Sequence, residues 1–151
     1  MYKKEELKSL KLEFWESFAT FCEVQPYLRE RKKIWILYNT KIKGVEFKFD
    51  ASREGASVIL ELCHRQEEER LEMFERLTWY KETLEMDFPE GLVWDVCFIR
   101  GETGKEVSRI YITKSGLDFH RREDWGEMFT FMASRMYLLE RNLMSIADYL
   151  R

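Results

Sequence analysis

Histidine and cysteine are scarce in this chain, with two His and three Cys among 151 residues. Cys22, Cys63 and Cys97 stand far apart, without a C-x-x-C pair. A structural zinc site needs several such ligands at short spacing, so neither a metal nor a cofactor is expected. Three unpaired thiols, and a start (Met1-Tyr2-Lys3-Lys4-Glu5-Glu6) that carries charge where a leader would be apolar, point to a reducing, cytoplasmic setting. No apolar run approaches the roughly 18 residues that would suggest a spanning helix, so no membrane contact is expected. Internal repeats, linkers and low-complexity segments are also missing, which leaves one globular domain over residues 1–151 as the expectation. A large charge of one sign is absent too. The net charge of −3 argues against a surface that is one continuous nucleic-acid footprint.

What is plentiful is aromatic bulk. Five Trp, seven Tyr and eleven Phe can fill a core without covalent staples. Charge is uneven along the chain. Residues 1–53 hold twelve Lys/Arg against eight Asp/Glu, and the remainder holds thirteen against twenty. The basic excess includes Arg29, Arg31, Lys32, Lys33, Lys41, Lys43, Lys48 and Arg53.

Apolar periodicity orders the elements. Leu7, Leu10, Phe14, Phe18 and Phe21 recur at spacings of three and four, which predicts an amphipathic helix ending near Pro26. Residues 34–39 read as a β-rich run. Val45, Phe47 and Phe49 alternate with polar neighbours up to Asp50, and residues 56–64 form a third strand after a short loop containing Gly55. Glu67, Glu68 and Glu69 suit a helix start, and Leu71, Phe74, Leu77, Tyr80 and Leu84 carry that helix toward Pro89. Residues 92–99 read as a largely buried strand, which a turn at Gly101 and Gly104 returns as 107–113. Asp124-Trp125-Gly126-Glu127 has approximately the form of a capping box and opens a helix running to the end of the chain. The expected fold is α+β: helix, three-strand antiparallel meander, helix, β-hairpin and long C-terminal helix, with one mostly antiparallel sheet covered by helices.

The last helix is the most regular element. Trp125, Phe129, Met132, Met136, Leu139, Leu143, Ile146 and Leu150 alternate spacings of four and three. About 26 helical residues span roughly 39 Å, longer than a small domain is wide. The stripe either covers the sheet or, as the second choice, serves a homodimer or another protein partner.

Two resemblances attach to these residues. The helix–strands–helix order around 34–65, with Lys48, Asp50 and Glu61 on one strand face, resembles the core of restriction-endonuclease-like nucleases. The lysine those enzymes carry two residues after the glutamate is missing, since Glu61-Leu62 is followed by Cys63. Phe14-Trp15 with Phe18, Gly44, Glu61-Leu62, Phe74, Leu77, Leu92-Val93-Trp94, Ser108-Arg109-Ile110 and Trp125 are similar to the bacterial family called domain of unknown function 4268. Members of that family resemble C-terminal parts of larger proteins with a nuclease-like domain in front, and also short stand-alone chains. The resemblance implies an association with nucleic-acid metabolism or defence.

Candidate chemistry follows from the residue types. A magnesium-dependent nuclease holds its ion on carboxylates a few ångströms apart and stabilises developing charge with a lysine. Asp50 and Glu61 would supply the acids, with Glu13 or Glu16 added from the first helix, and Lys48 would replace the missing lysine. The plainer expectation makes Lys48 and Glu61 a cross-strand charge pair. Arg109, inside a strand, either holds a carboxylate or reaches a phosphate. A nucleic-acid contact would use Arg29, Arg31, Lys32, Lys33 and Arg109. His64 and His120 read as isolated surface or strand-end residues. Taken together, these residues favour a non-enzymatic interaction or accessory module, with a nucleic-acid-binding module or a degenerate nuclease as the alternatives.

Overall fold

The computed structural model describes residues 2–28 and 40–151. The expected strand at 34–39 and the basic run Arg29, Arg31, Lys32 and Lys33 lie outside the described residues. Helix α1 (Lys4–Glu23) buries Leu10, Phe14, Phe18 and Cys22. These positions fall four apart, so one stripe goes inward while Leu7 and Phe21 flank it half-buried. The helix stops at Val24, and Pro26 begins a 3₁₀ turn through Leu28.

Strands β1 (Val45–Ala51) and β2 (Gly55–Leu62) form a hairpin. β3 (Val93–Ile99) and β4 (Glu106–Ser115) form a second. All four belong to one sheet in the order β1-β2-β4-β3, with every neighbouring pair antiparallel. Two glycines permit this packing. A Cβ on Gly55 would stand 2.2 Å from the Lys114 carbonyl oxygen, so only glycine lets β4 approach here. At Gly44 the backbone takes φ +78°, and a Cβ would meet the His64 ring at 2.5 Å.

The alternation in β2 sends Ala56, Val58, Leu60 and Leu62 to one face, where Ile110 and Ile112 of β4 join them. That face meets α1 and helix α4 (Trp125–Ile146). Phe14 lies within 5.0–6.0 Å of the rings of Trp15, Phe119, Trp125 and Phe129, a cluster in which each pair adds about 0.5–1.5 kcal/mol beyond burial. All eight seam residues of the last helix are buried in the chain's own core. The apolar stripe therefore covers the sheet.

Three expectations need correction. Residues 92–99 are not a largely buried strand: β3 is an outer strand of the described sheet, with Val93, Val96 and Ile99 each 44–55% exposed. An apolar run reports residue type, whereas exposure depends on position in the sheet. The long helix after Glu67 divides into α2 (Glu67–Thr78) and α3 (Lys81–Leu84). Its inward stripe is Arg70, Met73 and Leu77, while Leu71 is 40% exposed. Leu84 of α3 lies in the core, where the Asn142 amide of α4 donates to the carbonyls of Leu84 and Met86. Asp124 makes no side-chain cap, because a 3₁₀ turn (Arg122–Asp124) holds it near helical φ and ψ. Its carboxylate accepts instead from the Asp118 amide at 3.0 Å.

Candidate functional site

The register of the sheet builds one cross-strand row. Glu46 faces Glu61, Glu61 faces Arg109, and Arg109 faces Asp95. Side chains opposite one another share a face, so the row lies on the side away from α1 and α4. Glu61, on the inner strand β2, has no exposed surface. A buried carboxylate without partners would be prohibitively costly.

Three cations supply the partners. Lys48 Nζ, one same-face step from Glu46, stands 2.6 Å from Glu61 Oε2. Arg100 donates from Nη2 to that same oxygen, and Arg109 donates from Nε to Oε1 at 3.0 Å. Burial pushes the Glu61 carboxyl upward, but hydrogen bonds from Arg100, Lys48 and Arg109 outweigh it and hold the group below the usual carboxylate range. The same bond raises Arg100 further. Arg109 is braced from its other side, its guanidinium carbon lying 3.8 Å from the centre of the Phe98 ring.

The cations are not sealed in. Lys48, Arg100 and Arg109 line a cleft of about 340 Å³ together with Asp50, Phe98 and Glu102. Their side chains are 19–34% exposed, while Glu61 lies beneath them. Arg109 commits only Nε to Glu61, leaving its terminal amino groups without a bond among the described residues. Glu46 Oε2 also stands 3.8 Å from Lys48 Nζ, so three positive groups meet two negative ones, of which only Glu61 is buried.

Of the residues singled out in the sequence, Lys48, Glu61 and Arg109 come together. Asp50 does not join them. It pairs with Ser57, four residues along β2 from Glu61, or roughly 13 Å. Glu13 pairs with Arg122, and α1 packs Phe18 against Phe49 on the opposite face of the sheet. Glu16 lies on the same helix. The donor atoms of Glu46, Glu61 and Cys63 do lie within 4.8 Å of one another. Both Glu61 oxygens are already bonded to cations, and burial with neighbouring Glu46 pushes the Cys63 thiol upward, so this trio is poorly suited to a divalent ion.

The histidines are placed more deeply than expected. His64 is 8% exposed against Gly44, and burial lowers its basicity. His120 packs edge-on against Tyr2 and Phe119. Sequence reasoning missed Arg100 and Phe98, which follow the irregularity in β3 that no periodicity marks. It also missed Arg70, whose charge concealed an inward position.

Among the described residues, a four-stranded antiparallel sheet backed by helices, with a buried glutamate under three cations, is thus the α+β frame that carries the site. The chain belongs to the family described as Domain of unknown function (DUF4268), whose model matches residues 10–146. No curated protein and no solved structure matches it.

Proposed function

We propose that this chain is a non-enzymatic accessory module that binds nucleic acid through the Lys48, Arg100 and Arg109 cleft. The observation that carries the proposal is the arrangement at Glu61: one buried acid is held by three cations that also line an open cleft, and the exposed Glu46 adds a second acid at 3.8 Å from Lys48. Arginine is suited to this use because its planar fork can hold a carboxylate on one edge and a phosphate on another. The carboxylate itself is spent on those cations, which disfavours a metal-holding role for it. A partner through the C-terminal helix would have to compete with the core for the seam residues, so the accessory role is assigned to the cleft. The likeness to restriction-endonuclease-like cores rests on element order and on Glu61, and a degenerate nuclease is the outcome that would displace this proposal.

The test measures polarisation of labelled single-stranded DNA and RNA over a series of salt concentrations, with Mg²⁺ or Mn²⁺ present. Binding that weakens with salt, without strand cleavage, is expected. Lys48→Gln should lower the salt slope by about one unit, as loss of one phosphate contact does. Glu61→Gln should tighten binding by enlarging the positive surplus. Metal-dependent cleavage that disappears in both Asp50→Asn and Glu61→Gln would establish the nuclease instead.

A further inference from the structure

We infer that a second pocket, formed by the loop before β1 and by helix α2, binds a free α-amino acid with an apolar side chain and holds it as a zwitterion. The pocket shares no residue with the Glu61 cleft, and the inference goes beyond the nucleic-acid proposal without resting on it. Its volume of about 400 Å³ is in the range of small-molecule sites. Lys41 and Lys43 line it from the loop and Glu69 and Glu72 from α2, while Ile42, Met73 and Leu150 supply apolar surface. The other charged side chains at the pocket already have partners. Arg76 donates to the carbonyls of Tyr149 and Leu150, and Arg151 pairs with Asp148. Two lysines and two acids thus share the space from separate elements, and among the described residues no ion pair joins them. A zwitterion completes this pattern, its carboxylate meeting Lys43 and its ammonium group the acids. A simple anion or a simple amine would satisfy one pair and leave the other facing it.

The loop is fixed without a ligand. The hydroxyl of the buried Thr40 donates to the Val45 carbonyl at 2.7 Å and accepts from the Ile42 amide at 3.1 Å. Lys41 takes φ +61°, a left-handed conformation that a residue with a Cβ rarely adopts and that recurs at ligand sites. His64 gives the pocket an unserved group. Its ring lines the space, is 8% exposed and hydrogen-bonds the backbone of Lys43, yet its Nδ1 is buried without a hydrogen-bond partner. Buried polar nitrogens are nearly always paired, and Nδ1 of a neutral imidazole that donates from its other nitrogen is an acceptor. The ligand's ammonium group is the donor it lacks, reached by a slight turn of the ring. Burial lowers the basicity of His64 and the neighbouring Glu69 opposes that, which places one of the two acids beside the imidazole.

The experiment is calorimetry of the full chain with leucine and with three compounds that each lack one part of it: 4-methylpentanoate, 3-methylbutylamine and glycine. Leucine should bind, and the two singly charged compounds should bind at least on the order of tenfold more weakly, as loss of a charge-assisted hydrogen bond implies. Glycine should also be weaker, for want of apolar contact. Lys43→Gln and Glu72→Gln, both at exposed positions, should leave the melting temperature near that of the wild type and weaken leucine by a similar factor. The nitrogen resonance of His64 Nδ1 should move toward that of a hydrogen-bonded nitrogen as leucine is added. Equal binding of leucine and 4-methylpentanoate would make this an anion site, and equal binding of the amine a cation site; either would overturn the inference. Failure of leucine to bind at millimolar concentration would overturn it, as would binding that neither substitution weakens or that leaves His64 unshifted.

Discussion

Two buried charges meet this sheet, Arg70 from helix α2 and Glu61 from strand β2, and they are treated differently. Arg70, on the inward face of α2, donates from Nη1 to the Val96 carbonyl at 2.7 Å and to Ser108 Oγ at 2.6 Å, and from Nη2 to Glu106 at 3.1 Å. Its surroundings follow from an irregularity. Between Asp95 and Phe98 the register of β3 slips, so Val96 and Cys97 together oppose Ser108 and the carbonyl of Val96 is served from outside the ladder. Glu61 is the mirror case in charge and the opposite in balance. Arg70 has its acceptors matched to its donors, whereas at Glu61 three cations meet two acids, Glu61 itself and the exposed Glu46. Matched buried charge fixes architecture; unmatched charge at an open cleft leaves donors for something else.

The largest effect should come from breaking the matched site. Arg70→Met removes the donor from a bulge carbonyl and a buried hydroxyl while filling similar volume, and should cost on the order of 3 kcal/mol. Chemical denaturation gives the value, and hydrogen exchange should place the loss in α2 and β3. Binding of strands by the folded fraction should be unchanged. A cost below about 0.5 kcal/mol would mean that water serves those groups equally well and that the site is not matched in the sense described.

Removing the acid at the other site comes next. Glu61→Gln should cost about 2 kcal/mol near neutral pH, since three cations lose their counter-charge. Its pH dependence has a definite sign. The folded group titrates below the ordinary glutamate value of about 4.3, so its contribution is fully present above that value and is lost as pH falls through the lowered folded one. Wild type and Glu61→Gln should therefore differ most at neutral pH and converge on acidification. Parallel stability curves down to the acid transition would show that the carboxylate draws no net support from its cations.

The contrast between these sites was only partly legible in the sequence. Local periods were readable: the stripe of Leu10, Phe14 and Phe18, the alternation of Val45 and Phe47, and the seam from Trp125 to Leu150 each depend on neighbours a few residues away. Lys48 and Glu61 were readable as a cross-strand pair for the same reason. The burial of Glu61 was not, because it depends on β4 arriving from more than forty residues away to place β2 inside the sheet. Arg100 was hidden similarly, since its reach to Glu61 depends on how β3 and β4 pair. The exposure of β3 comes from its place at the margin of the described sheet, and the inward turn of Arg70 is tied to a register slip; hydropathy reports neither.

A smaller effect on stability, and a larger one on binding, separates the roles within the Glu61 cluster. Lys48 is the most exposed of the three cations, and Glu61 retains both arginines without it. Lys48→Gln should therefore cost under about 1 kcal/mol, in the range of partly exposed ion pairs. Strand binding should nonetheless weaken severalfold at low salt. Loss of stability as large as that of Glu61→Gln, without any change in binding, would make the lysine purely structural.

The smallest effect is expected at Asp50, and it decides between two uses of the same face. In the nuclease reading Asp50 and Glu61 share an ion, so neutralising Asp50 must abolish metal-dependent chemistry. The register instead puts Asp50 opposite Ser57, roughly 13 Å along β2 from Glu61, where it is an exposed carboxylate at the margin of the cleft. Asp50→Asn should then change stability by less than about 0.5 kcal/mol, as surface substitutions usually do. It should also relieve repulsion of an incoming phosphate, so strand affinity at low salt should hold or rise slightly. A Mg²⁺-dependent signal in calorimetry that Asp50→Asn removes would mean that the two acids close on one ion in solution, and the surplus of cations at Glu61 would then have to be reread as the charge-stabilising half of a catalytic site.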